Sequence, residues 1–140
     1  MFEIQNVNET NFQQAFNFLN SVPSIATIDN EILKNGVIVF LQNKVIASIS
    51  FEIFDNVGLI RYFVFKRDLD NIVLNHLLDA LTDNAIKMNI KKLICVADNE
   101  QIEDLFKEFN FKTLDKKIFI NEEEVSKSNF SNSNFLFKDI

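Results

Sequence analysis

The sequence predicts a mixed α/β (α+β) chain of about seven strands, mostly antiparallel, on three observations. First, the hydrophobic period switches repeatedly between that of helices and that of strands. Second, three strand-like runs follow one another between Val37 and Phe65 with only short turns between them, which predicts an antiparallel meander. Third, Leu59 to Phe65 passes into a long periodic helix before the next apolar run, Lys91 to Ala97; a crossover of that length predicts a parallel pair.

In chain order, Phe2 to Val7 alternates as a strand, with Phe2, Ile4 and Val7 as its apolar members. Asn8 is the expected cap of a first helix, in which Phe12, Ala15, Phe16 and Leu19 recur at i, i+3, i+4, i+7. Ser21, Val22 and Pro23 break that helix, and Ile25, Ile28, Ile32 and Leu33 predict a short second one ending at Asn35 and Gly36. The hairpin Val37 to Leu41 and Val45 to Phe54 turns at Gln42, Asn43 and Lys44. In its second strand Ser48, Ser50 and Glu52 share one face, while Ala47, Ile49, Phe51 and Ile53 share the other.

Asp70 is the natural N-cap of the crossover helix, roughly Asn71 to Met88, whose buried stripe is Leu74, Leu77, Leu78, Leu81, Ala85 and Met88. A further helix is expected over Asn99 to Phe109, with Ile102, Leu105, Phe106 and Phe109 as its stripe. Phe111 to Ile120 reads as a strand, the polar stretch Asn121 to Asn134 as a surface loop, and Phe135 to Lys138 as a closing edge strand.

Composition narrows the function classes. A chain of 140 residues with 47% hydrophobic residues, sixteen Phe, two Gly and one Pro is expected to form one globular domain, residues 1–140. The net charge of −6 repels nucleic acid and anionic membrane surfaces at long range. The single Cys95 excludes an internal disulfide framework or a Cys-rich metal site, and a reducing, cytoplasmic setting is the expectation. The run Val37 to Leu41 is far too short to span a bilayer, and no leader-like segment is expected at the N-terminus. No metal-ligand spacing, nucleophile elbow or glycine-rich nucleotide loop is present.

The element order, taken with two local stretches, resembles the GNAT superfamily of N-acetyltransferases over essentially the whole chain. FVFKRDLDNIVLNHLLDAL, Phe63 to Leu81, is similar to the family's F-V-x-P-x-Y-R-G-x-G-I-G-x-x-L-L-x-A-L without a gap, matching at Phe63, Val64, Leu77, Leu78, Ala80 and Leu81. DNEQIEDLFKEFNF, Asp98 to Phe111, resembles N-x-x-A-x-x-L-Y-x-x-x-G-F at Asn99, Leu105 and Phe111. The resemblance implies a sheet with helices on both faces, and acetyl-CoA as the cofactor if activity is kept. Contacts to that cofactor would then fall at Phe63, Val64, Phe65, Leu69, Asp70, Asn71, Ile72, Val73, Leu74, Asn99 and Phe106.

The departures fall in the functional middle. In the family, an Arg and three Gly let backbone N–H groups at a helix start wrap a pyrophosphate; in register these are Leu69, Asp70, Ile72 and Leu74. A carboxylate a few ångströms from a phosphate near a protein surface costs on the order of 1 to 4 kcal/mol. Lys66 and Arg67 are the counterweight, although a solvated turn paired with Asp68 is the ordinary arrangement of such charges. The family's Tyr general acid corresponds to Phe106, which has no proton to donate, and its helix-ending glycine corresponds to Asn110.

Glu52 is the candidate general base, set against the ordinary role of a solvated strand carboxylate. His76 is expected on the helix surface, Cys95 as a buried structural thiol and Tyr62 as a sheet-packing residue. Two functions follow from these departures. One is a non-catalytic GNAT-like domain that binds a protein or small-molecule partner; the other is a divergent acyl-CoA-dependent N-acetyltransferase acting on an amine. A homodimer sharing the strand Phe135 to Phe137 is a third reading.

Overall fold

The computed structural model of the chain describes residues 1–114, 119–120, 123–124 and 134–140. β1 (Phe2–Asn6) is followed by helices α1 (Phe12–Asn20) and α2 (Asn30–Leu33). The meander forms as expected: β2 (Val37–Leu41), β3 (Lys44–Phe54) and β4 (Val57–Phe65) pair antiparallel in turn, and β1 pairs with β2. Helix α3 (Asn71–Lys87) carries the chain to β5 (Lys92–Ala97), which runs parallel to β4. After α4 (Glu100–Glu108) come β6 (Lys112–Leu114), a small pair β7 (Phe119–Ile120) and β8 (Glu123–Glu124), and β9 (Asn134–Asp139). Among the described residues the main sheet has seven strands in the order β1-β2-β3-β4-β5-β9-β6.

The helices cover both faces of this sheet. Val73, Leu74, Leu77, Leu78, Leu81 and Ala85 of α3, with Leu105 and Phe106 of α4, pack on Val37, Val39, Ala47, Ile49 and Phe51. Ala15 and Leu19 of α1 and Leu33 of α2 pack on Ile38 and Phe40, which point the other way. Both faces of β3 are therefore buried, and Ser48 and Ser50 lie fully buried where α1 and α2 meet the sheet. Gly36 permits this approach: a Cβ there would run into Ser50 Oγ, with the carbonyl oxygens of Ile49 and Leu33 at 3.0 Å. The β2–β3 turn is made by Gln42 and Asn43, both with positive φ (50° and 66°), which matches the twist of the two strands.

Several expected boundaries move, each for a local reason. Helix α1 starts after Asn11; Asn8 instead closes the preceding turn, its Oδ1 accepting from Thr10 N at 2.8 Å and Asn11 N at 3.1 Å. Asn11 is 2% exposed and ties the helix start to β1 by donating to Asn6 O at 2.9 Å. The second helix is shorter than the apolar spacing predicts, because Asp29 accepts from Glu31 N at 2.9 Å and starts the helix there. Ile25 and Ile28 still pack on the α1 cluster, but from irregular chain. Met88 is not part of the buried stripe: α3 ends at Lys87, Asn89 turns the chain at φ 63°, and Met88 is 46% exposed.

The C-terminal elements differ more. The strand expected over Phe111 to Ile120 is seen as β6 and β7, with 115–118 outside the described residues. Of the expected loop, Glu123–Glu124 pairs as β8 and Asn134 opens β9, while 121–122 and 125–133 lie outside the described residues. β9 is not an edge strand. It sits between β5 and β6, with Phe135 and Leu136 buried on opposite faces, and β6 forms the edge. Adjacent buried apolar residues mark a strand covered on both sides.

Candidate functional site

The site follows from an irregularity in β4. Ser48 pairs with Val64 and Ser50 with Arg61, so Tyr62 and Phe63 together stand opposite Ile49 alone. This is a β-bulge, and Tyr62 carries its strain with φ at 54°. The Tyr62 carbonyl, displaced from the ladder, accepts from Ser48 Oγ at 2.7 Å. The Tyr62 hydroxyl accepts from Asp29 N at 2.8 Å and lies 3.5 Å from Thr27 O, tying the bulge to the α1–α2 connection.

On its other side β4 pairs with β5 only from Val57/Lys92 to Leu59/Ile94, although β4 continues to Phe65 and β5 to Ala97. Past that point the strands part. The gap holds a cavity of about 260 Å³ lined by Leu59, Ile60, Arg61, Tyr62 and Phe63 of β4, Cys95 and Val96 of β5, Asp98 and Asn99 of the following turn, and Ile102 and Phe106 of α4.

Aromatic rings form one wall of the gap. Phe106 is 1% exposed and meets Phe63 edge-on at 5.3 Å between centroids and Phe111 at 5.0 Å, while Phe65 lies 5.0 Å from Phe63. Of the expected site residues, Phe63, Asn99 and Phe106 come together here. Asn99 also caps α4, its Oδ1 accepting from Ile102 N at 2.9 Å.

Glu52 is engaged by Arg61, whose Nη1 donates to its Oε1 at 2.6 Å, with both side chains about a third exposed. Arg61 also lies over the Tyr62 ring, 5.3 Å from its centroid. Cys95 is buried at 2% exposure; burial, and then the charge of Asp98, push its thiol well above the usual range, so it stays protonated. His76 is exposed on α3. Among the described residues no group of His, Cys, Asp and Glu could hold a metal, and no helix is long and apolar enough to cross a membrane.

The other expected contacts lie around the start of α3. Leu69 N donates to Lys66 O at 3.0 Å and closes the turn. Asp70 Oδ1 accepts from Ile72 N at 2.9 Å, and Asp70 O accepts from Val73 N at 3.0 Å and Leu74 N at 3.2 Å. Two of the N–H groups that a helix start leaves open, those of Ile72 and Val73, are thus used internally. Ile72 is 66% exposed, whereas Val73 and Leu74 are core residues.

Phe65, Arg67, Leu69, Asn71 and Leu74 line a second cavity of about 260 Å³, with Gln101, Asp104, Leu105 and Glu108 of α4 opposite. Asn71 Nδ2 donates to Glu108 Oε2 at 3.4 Å. Val64, Asp70, Ile72 and Val73 line neither cavity; Val64 faces the α1 cluster. The residue that the sequence reading overlooked is Arg61. Its signal was present, as a guanidinium inside the otherwise apolar run LIRYFVF with Glu52 on the preceding strand.

No protein-family model matches the chain, and no curated protein matches it in sequence. Solved structures do match. N-acetylglutamate synthase from Neisseria gonorrhoeae, in complex with coenzyme A and N-acetyl-glutamate, superposes with a TM-score of 0.77 at 16% identity, over 99% of this chain and 35% of that one. The chain therefore spans about a third of the synthase's length. An acetyltransferase of the GNAT family from Streptococcus pneumoniae gives a TM-score of 0.71 at 14% identity, covering 100% of this chain and 99% of the other. An N-acetyltransferase from Staphylococcus aureus gives 0.66 at 17%, covering 99% and 97%. At these identities the likeness is one of fold.

Proposed function

From the premise that this chain has the GNAT acetyltransferase fold, we propose that it is a non-catalytic binding domain whose ligand site is the cavity between β4 and β5. The observation that carries this reading is the self-capped start of α3. In the family a pyrophosphate takes hydrogen bonds from such a helix start. Here Ile72 N is spent on the Asp70 carboxylate, and Val73 N and Leu74 N on the Asp70 carbonyl. A pyrophosphate would have to displace that carboxylate and sit beside it, at an electrostatic cost of about 1 to 4 kcal/mol. The neighbouring cavity adds Asp104 and Glu108 against Arg67. The residues present do not fit a CoA pyrophosphate held in the family's manner.

Two further features support the same reading. Phe106, in register with the family's Tyr acid, is a buried ring without a hydroxyl. The candidate general base, Glu52, is already engaged through Oε1 in an ion pair with Arg61. The competing reading, a divergent acyl-CoA-dependent N-acetyltransferase acting on an amine, is favoured by the exposed cations Lys66 and Arg67 beside the α3 start. Titration of acetyl-CoA followed by calorimetry separates the two. The expected outcome is no binding in the micromolar range; micromolar affinity overturns the non-catalytic reading.

A further inference from the structure

We infer that the cavity between β4 and β5 binds a small monocarboxylate with an apolar tail, anchored by the guanidinium of Arg61. The inference rests on that cavity being the domain's ligand site. Arg61 is the one Lys or Arg among the described residues that line it. Its position is fixed on two sides, by Glu52 Oε1 at 2.6 Å from Nη1 and by the Tyr62 ring 5.3 Å from Cζ. A guanidinium has five N–H donors, and among the described residues Glu52 is its one hydrogen-bond partner. The unspent donors form a planar fork matched by a carboxylate.

The surroundings set the ligand's charge and size. Glu52 already offsets the Arg61 charge, so a monoanion is balanced better than a doubly charged phosphate ester. The remaining wall is largely apolar, from Phe63, Val96, Ile102 and Phe106. A cavity of about 260 Å³ suits a small ligand.

Hexanoate, hexanamide and hexylamine are each titrated into the full chain, following the thermal midpoint and the heat of binding. Hexanoate is expected to raise the midpoint and to give a saturable heat, binding roughly tenfold or more tighter than hexanamide. Arg61→Gln is expected to abolish both effects and Arg61→Lys to weaken them. Glu52→Gln is expected to tighten hexanoate, because the guanidinium then keeps its full charge.

Equal binding of amide and carboxylate, preference for the amine, or no hexanoate binding overturns the inference. So does unchanged binding in Arg61→Gln. Should Arg61→Gln fail to fold, unchanged or weaker hexanoate binding in Glu52→Gln overturns it instead. Acetyl-CoA, run in parallel, tests the non-catalytic reading separately. Micromolar acetyl-CoA binding overturns that reading and with it the premise here, whereas failure of hexanoate without CoA binding overturns the carboxylate assignment alone.

Discussion

Ser48 and Ser50 sit two residues apart on one face of β3, both fully buried, yet only Ser48 has a hydrogen-bond partner among the described residues. Ser48 Oγ satisfies the Tyr62 carbonyl that the bulge removes from the ladder. Ser48→Ala is therefore expected to cost about 1 to 3 kcal/mol of unfolding free energy by leaving that carbonyl unpaired. Ser50→Ala, which removes a hydroxyl bonded to nothing described, is expected to change stability by less than about 0.5 kcal/mol or to raise it. Urea denaturation of the two variants checks the difference, and equal losses would refute the role given to Ser48. Cys95 supplies a pH dependence. Its folded-state pKa is raised, so above the ordinary thiol value near 9 the unfolded chain releases a proton that the folded chain keeps. Stability should thus be fully retained below that pH and fall above it, by up to about 1.4 kcal/mol per pH unit from this group. The wild type should show a steeper loss between pH 9 and 10.5 than Cys95→Ala; parallel curves would count against it.

At the scale of elements, the start of α3 was the most legible part of the chain. Asp70 followed by a leucine-rich stripe predicted a cap, and Asp70 Oδ1 does accept from Ile72 N. Asp70→Ala is expected to cost about 0.5 to 2 kcal/mol, while Asp70→Asn, which keeps the acceptor, should cost much less. Thermal melts of the pair check this, and an equal cost would mean that the charge rather than the cap stabilises the helix. Leu74 shows what register alone left open: it aligns with a glycine of the family's loop but is 2% exposed in the core. The second helix was overdrawn because i, i+3 apolar spacing also arises in irregular chain lying on a surface, as Ile25 and Ile28 do. Asn110, in register with the family's helix-ending glycine, adopts φ of 70° at the end of α4, a conformation that Asn tolerates.

Across the whole molecule, the sheet order and the split between β4 and β5 make the site. Elements close in sequence were readable because their pairing is set by local chemistry: hydrophobic period, caps and tight turns gave the meander, α3, α4 and the parallel crossover. β9 was misplaced as an edge strand because its position between β5 and β6 depends on partners far away in sequence, although its adjacent buried Phe135 and Leu136 carried a hint. The bulge at Tyr62 was not readable from the period of LIRYFVF, since one extra residue in a strand becomes visible only against its partner's register. By itself, then, the sequence determined the elements, most of their order and a helix start without glycine, all properties of residues near one another in the chain. The tertiary structure alone decided that Arg61 and Glu52 pair across strands, that β4 and β5 part after Leu59 and Ile94, and that Cys95, Phe63 and Phe106 face one cavity. Those are matters of register and distance between strands, which no single stretch of the chain encodes.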